Sequence, residues 1–148
     1  MKPIDSKKKQ LTGQEIITRA VYATDLKGLD PQVALIGIAK ELTMDSVEPK
    51  QYGNSVFIGH YIPDRTGVYM RVLNIDTAKN LIDNGERYFK YLISNKVDKI
   101  YTEFDGSEML HAFKLFSKRP GTEDMTFRYY DFGKDRHGVE VLFTPTKD

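Results

Sequence analysis

The chain has 148 residues, 40% hydrophobic and 29% charged, which fits one domain with its own core and a well-solvated surface. Its 22 Lys and Arg against 21 Asp and Glu leave a net charge of +1, so it lacks the basic footprint of a nucleic-acid or anionic-membrane binder. It has no cysteine, which excludes disulfides, thiolate metal sites and a cysteine nucleophile and fits a reducing cytoplasm.

Residues 1–13 read as a flexible arm ending at Gly13, with 14–148 as a single domain. The first ten residues carry charge but no apolar core, unlike a secretory signal. The longest apolar run, residues 33–39, is far too short to span a bilayer, so no membrane partner is expected. Lys7-Lys8-Lys9 reads either as a solvated tail or as a dock for an acidic partner. Residues 16–22 are rich in β-branched side chains and predict a first strand. Asp30-Pro31 is a helix start, with Asp as N-cap and Pro at the first helical position, and the helix is expected to run to about Met44. Its apolar run taken alone would also suit a buried strand.

Residues 46–54, with Pro49 and Gly53, read as a loop. Residues 55–61 and 68–73 read as two strands joined by the turn Ile62-Pro63-Asp64-Arg65-Thr66-Gly67, hence a hairpin. Residues 77–94 give the clearest helix, with Ala78, Leu81, Ile82, Tyr88, Phe89, Leu92 and Ile93 on one stripe, Asp76 as N-cap and Asn95 as C-cap. Gly85 falls on that stripe and is expected to pack closely against the sheet. Residues 97–104 alternate, with Ile100, Thr102 and Phe104 on one face and Tyr101 and Glu103 on the other. Asp105 and Glu108 have the spacing of an acidic capping box for a helix that turns Met109, Leu110, Phe113 and Phe116 inward and stops at Arg119-Pro120-Gly121. Residues 125–132 and 138–144 form a last hairpin.

The order β-α-β-β-α-β-α-β-β predicts an α/β (α+β mixed) sheet covered by helices. The strands flanking residues 77–94 should be parallel with a right-handed crossover. A strand that runs straight into a helix aims backbone N–H groups and the positive end of the helix dipole above the sheet edge, where phosphate-bearing ligands bind.

The segment Asn80-Leu81-Ile82-Asp83-Asn84-Gly85-Glu86-Arg87-Tyr88-Phe89-Lys90-Tyr91-Leu92-Ile93 resembles the long central helix of the GNAT family of N-acetyltransferases. Lys99-Ile100-Tyr101-Thr102-Glu103-Phe104 resembles the strand after it, and Ala112-Phe113-Lys114-Leu115-Phe116-Ser117-Lys118-Arg119-Pro120-Gly121 the helix that follows. The pattern covers roughly residues 14–144 and is most similar to short GNAT-like proteins of bacteriophages, some of them virion components. The resemblance implies acetyl-CoA or another acyl-CoA as cofactor, no metal, and a pyrophosphate held by Leu73, Asn74, Asp76, Thr77, Ala78 and Lys79. The chain departs from the family at three points. Leu73-Asn74-Ile75-Asp76-Thr77-Ala78 has neither the glycines nor the Arg or Gln of the family's phosphate loop, so side chains should crowd its amides and Asp76 should repel phosphate. The family's acidic tyrosine is Phe113 or Phe116, which have no proton to give. The family has three strands before the central helix, and two are legible.

His60 reads as a general base or as a hydrogen-bonded strand histidine. Glu103 reads as a base near the C-terminal end of an inner strand or as an outward strand charge. His111 is expected to pack, partly buried, and His137 to lie exposed in a turn. Histidines without clustered carboxylates make no metal site. Tyr88, Tyr91, Tyr129 and Tyr130 read as rings covering the core, or as an RNA-stacking surface that has no basic stripe to support it. Two functions follow. One is a GNAT-like N-acyltransferase using a small-molecule acyl donor. The other is a non-catalytic GNAT-fold protein with a protein partner, cytoplasmic or virion-associated.

Overall fold

The computed structural model describes residues 11–24, 26 and 28–143; most of the expected N-terminal arm lies outside them. The first element is a helix, not a strand: α1, Gly13–Ala23. Thr12 is its N-cap and forms a reciprocal capping box with Glu15, which pairs otherwise orphaned N–H groups at both residues. Ile16, Ile17, Ala20 and Val21 are buried, a helical spacing that overrides the β-branched composition. Gly13, expected to close the arm, opens this helix. Helix α2, Pro31–Glu41, starts as predicted, with the Asp30 carboxylate accepting from the Gln32 amide.

Three strands follow. The predicted loop at 46–54 is largely strand β1, Val47–Tyr52, joined to β2, Ser55–Tyr61, by a tight turn in which Gly53 has φ +57°. This is the third strand missing from the sequence reading. Pro49 conceals it there, but β1 is an edge strand, where a missing N–H is tolerated. Strand β3, Gly67–Asn74, completes the hairpin and leads to helix α3, Ala78–Ser94. Strand β4, Lys99–Asp105, helix α4, Glu108–Phe116, and the hairpin of β5, Met125–Gly133, and β6, Arg136–Phe143, end the described chain. The six-stranded sheet has the order β1-β2-β3-β4-β6-β5, antiparallel except for the parallel pair β3–β4.

Each face of the sheet has its own core. Helices α3 and α4 pack Tyr88, Phe89, Leu92, Phe113 and Phe116 against Phe57, Met70, Ile100, Val139 and Val141. On the other face Ile16, Ile17 and Val21 of α1 and Ile38 of α2 pack on Val47, Val56 and Ile58. Helix caps differ from expectation in two places. Thr77, not Asp76, caps α3, its hydroxyl accepting from the Asn80 amide. Ser107 is the N-cap of α4 and makes no side-chain cap bond, and the Asp105 carboxylate expected in a capping box is taken by Arg136. Ile93 of the predicted apolar stripe is 44% exposed, whereas its neighbour Leu92 is fully buried.

Two glycines behave oppositely. A Cβ at Gly59 would stand 2.5 Å from the hydroxyl of Tyr88, a ring that is 1% exposed and stacked on Phe57. A Cβ at Gly85 would meet nothing within 4 Å, so this glycine faces a gap rather than the close packing expected of it. Gly85→Ala should therefore stabilise the fold by about 1 kcal/mol through helix propensity alone. Gly59→Ala should cost about 1–3 kcal/mol through overpacking. Urea unfolding of both variants tests the pair, and a Gly59→Ala variant as stable as wild type would refute the packing described here.

Candidate functional site

The candidate site forms where β3 and β4 part. Their parallel ladder consists of Gly67↔Lys99, Val68↔Ile100 and Tyr69↔Tyr101 and stops there. Yet β3 continues to Asn74 and β4 to Asp105. Past the last rung, the facing edges of the two strands hold backbone N–H and C=O groups that no longer pair with each other. The result is a notch through the sheet, open toward the N-terminus of α3.

On the α3/α4 side the notch opens on an apolar cavity of about 40 Å³. Met70 and Val72 line it from β3, Leu81, Ile82, Gly85 and Phe89 from α3, and Met109, Ala112, Phe113 and Phe116 from α4. Phe113 stacks on Phe104, and Phe116 meets Phe89 edge-on, so both rings wall the cavity with carbon. Arg119 braces the two helices, bonding Asp83 at 2.6 Å and Glu86 at 2.9 Å. These carboxylates hold its guanidinium charged, with its pKa raised by the bond to Asp83 first.

The loop into α3 is built by a buried polar network. The side chain of Asn74 accepts from the Ser55 hydroxyl at 2.7 Å and from the Asp76 amide at 3.0 Å. The Asp76 carboxylate accepts from the Asn54 amide at 2.9 Å and from the Asn84 side chain at 3.0 Å, with Asn80 at 3.4 Å. Asn84, 5% exposed, also donates to Ser55 at 2.9 Å. Ile75 packs into the α1 core. The side chains of Asn74, Ile75 and Asp76 thus turn into the protein, relieving the crowding that the glycine-free loop predicts, and the Asp76 charge is met by donors. The amides of Ile75, Asp76 and Asn80 are used internally. Those of Thr77, Ala78 and Lys79 have no acceptor among the described residues, as first-turn amides do not. Leu73 sits on the opposite side, against the α1 core.

Glu103 lies past the last β3–β4 rung, on the sheet face opposite the cavity. It accepts from the Tyr101 hydroxyl at 2.8 Å and from Arg136 at 3.2 Å. Burial, then the bond to Glu103, pushes the Tyr101 hydroxyl up to about 12, so it stays protonated at neutral pH. Tyr101 is not among the site residues expected from the sequence; its signal there is its place two residues before Glu103 on the same strand face. His60 is not brought to the notch. It lies on β2 and bonds Glu41 of α2, which also takes Arg71, the hydrogen-bonded role that competed with a base. His111 is exposed instead of packed, and His137 is on β6 against Phe104 instead of in a turn. Tyr88 and Tyr91 pack on the core, whereas Tyr129 and Tyr130 are 38% and 40% exposed and do not cover it.

A larger hollow of about 510 Å³ lies away from the notch, between α1, α2 and the β1–β2 hairpin, lined mainly by Ile17, Leu35, Ile38, Leu42 and Val56. Among the described residues no three His, Asp, Glu or Cys side chains converge as a metal site, and no helix is long and apolar enough to cross a membrane.

No family model matches the sequence, and no curated protein matches it. In structure the chain is similar to the Campylobacter jejuni N-acetyltransferase PseH, with a TM-score of 0.53 at 16% identity over 89% of this chain and 92% of that one. Against the same protein in complex with acetyl coenzyme A the TM-score is 0.52 at 18% identity, over the same shares of both chains. A provisionally assigned phosphinothricin N-acetyltransferase aligns with a TM-score of 0.50 at 12% identity, over 94% of this chain and 98% of that one. The strand order with one parallel pair, the notch beside it and these alignments together identify the architecture as the GNAT fold in a divergent sequence.

Proposed function

We propose that the chain is a GNAT-like N-acyltransferase that moves an acetyl or other acyl group from acyl-CoA to an amine. The observation that carries this reading is the parting of β3 and β4 directly beneath the N-terminus of α3. An acyl-pantetheine arm could pair its amides with the unsatisfied strand edges, as an added strand does. The amides of Thr77, Ala78 and Lys79, with the Lys79 ammonium, would hold the pyrophosphate. Asn74 and Asp76 would shape that loop from behind without touching phosphate, and Leu73 would support it from the α1 side.

The chemistry then needs little from side chains. The amine nitrogen attacks the thioester carbonyl carbon, the C–N bond forms and the C–S bond breaks. Glu103, through a water, takes the proton that the amine loses. The leaving thiolate takes its proton from solvent, because Phe113 and Phe116 have none to give. Orientation in the notch supplies most of the rate.

A second reading has one specific observation in its favour. The cavity beside the notch is only about 40 Å³, and its walls must move to admit a pantetheine arm. A non-catalytic GNAT-fold protein that binds another protein, in the cytoplasm or in a phage particle, would leave those walls closed. Calorimetric titration with acetyl-CoA separates the two. Micromolar binding supports the acyltransferase, and no heat at millimolar ligand refutes it.

Two variants test the assignments within the first reading. Thr77→Asp keeps a good N-cap residue but sets a carboxylate beside the proposed pyrophosphate, and should weaken acetyl-CoA binding by about tenfold or more. An unchanged affinity would remove the site from this loop. Glu103→Gln should lower kcat about 10²-fold with the KM for acetyl-CoA unchanged, and the loss should shrink as pH rises and the amine deprotonates unaided. Wild-type kcat in Glu103→Gln would exclude it as the base.

A further inference from the structure

The hollow between α1, α2 and the β1–β2 hairpin takes no part in the proposed acyl transfer, and neither does the lysine run near the N-terminus. At about 510 Å³ the hollow is in the range that small-molecule ligands fill, roughly 300–1,000 Å³. Its floor is hydrocarbon. Ile17, Ile38 and Val56 are buried, Leu35 and Leu42 are half-buried, and Pro49 lines it from the hairpin. Among the described residues no charged side chain is on its wall. The Thr18 hydroxyl donates to the Gln14 carbonyl at 2.9 Å. The Gln51 side-chain amide donates to the carbonyls of Leu11 at 2.7 Å and Gly53 at 3.3 Å. These donors are spent on the backbone, so a polar body entering the hollow would lose water and gain little in return. An alkyl chain loses nothing there and buries its own surface.

Charge stands only at the rim, where α1 begins. Gly13 and Gln14 belong to the wall, and the chain reaches them through Leu11, whose carbonyl Gln51 holds. Lys9 precedes Leu11 by two residues and Lys7 by four. Connectivity alone keeps their Cα atoms within about 8 Å and about 15 Å of Leu11. Residues 1–10 carry Lys2, Lys7, Lys8 and Lys9 against Asp5 alone. The acid in the first turn of α1, Glu15, accepts from the Thr12 amide at 2.8 Å. A carbon-walled hollow with an excess of ammonium groups tethered to its mouth is complementary to an alkyl chain that ends in a carboxylate.

We infer that the hollow binds a free medium-chain fatty acid, its alkyl chain between α1 and α2 and its carboxylate met by Lys7, Lys8 and Lys9. This site is separate from the notch and stands whether or not acyl-CoA binds there.

Octanoate and octan-1-ol share an alkyl chain and differ in charge. Each is titrated by calorimetry against the full chain without acetyl-CoA, and methyl NMR of Ile, Leu and Val locates the binding. Octanoate should saturate below millimolar concentration and shift the methyls of Ile17, Leu35, Ile38, Leu42 and Val56. The alcohol should bind about tenfold more weakly, the sum of a few exposed charge contacts. Lys7→Gln/Lys8→Gln/Lys9→Gln should bring octanoate down to the affinity of the alcohol and remove its salt dependence. Ala39→Trp sets a large ring at the hollow from an exposed position, so it should fold, as urea unfolding would verify, and should abolish binding of both probes. Equal affinity for acid and alcohol, an unaltered triple-lysine variant, or undiminished binding by Ala39→Trp would each overturn the proposal. So would tighter binding of octan-1-ol after removal of residues 1–9, which would make the arm itself the occupant of the hollow. Co-sedimentation with phosphatidylglycerol vesicles without saturable octanoate binding would give the lysines to a lipid surface and equally overturn it.

Discussion

The two halves of the sheet are joined by a parallel ladder that closes for Gly67–Tyr69 against Lys99–Tyr101 and then opens. Everything of chemical interest depends on that short seam. Along it, Val68 and Ile100 are buried and the sheet is continuous. Above it, β4 remains paired to β6 on its other edge and β3 to β2 on its own, so both strands stay rigid while the space between them widens. A continuous ladder would leave no backbone groups to recruit a ligand. A shorter one would leave the two halves of the molecule to be held together by α3 and α4 alone.

The packed apolar stripe of α3 holds the helix on the sheet, and buried polar bonding fixes its start beside the notch. Ser55, Asn74, Asp76 and Asn84 bind one another across the start of β2, the end of β3 and the second turn of α3. Buried groups of this kind are costly when any one partner is lost, which makes the arrangement specific more than it makes it stable. It also explains how a loop without glycine can still present first-turn amides. The side chains that would have crowded them are occupied elsewhere.

The two sheet faces divide the labour. The α3/α4 face is closed and, beside the notch, lined with carbon. The opposite face near the notch carries Tyr101, Glu103 and Arg136 in one hydrogen-bonded chain, with aromatic rings extending toward the edge strand β5. On the proposed acyltransferase reading, a donor entering from one side and an acceptor from the other would meet between the strands, and direct attack needs no side chain to carry the acyl group.

Much of this was legible in the chain. Residues whose local and long-range preferences agree could be read directly. The stripe of α3, the Asp30-Pro31 start of α2 and the turn at 62–67 are such cases, as is the alternation of Ile100, Thr102 and Phe104, and together they fixed the mixed class and the parallel crossing. Readings failed where a short pattern served two structures. Ile16 to Tyr22 has strand composition but a helical burial spacing and a capping box, and packing against Val56 and Ile58 decided for the helix. Pro49 argued against a strand that an edge position permits. Asp76 and Asp105 both have N-cap chemistry, but tertiary partners, Asn84 and Asn54 for one and Arg136 for the other, claimed their carboxylates first. The notch itself has no sequence signature. Two strands that both continue stop pairing after Tyr69 and Tyr101, and only the folded chain sets where that happens.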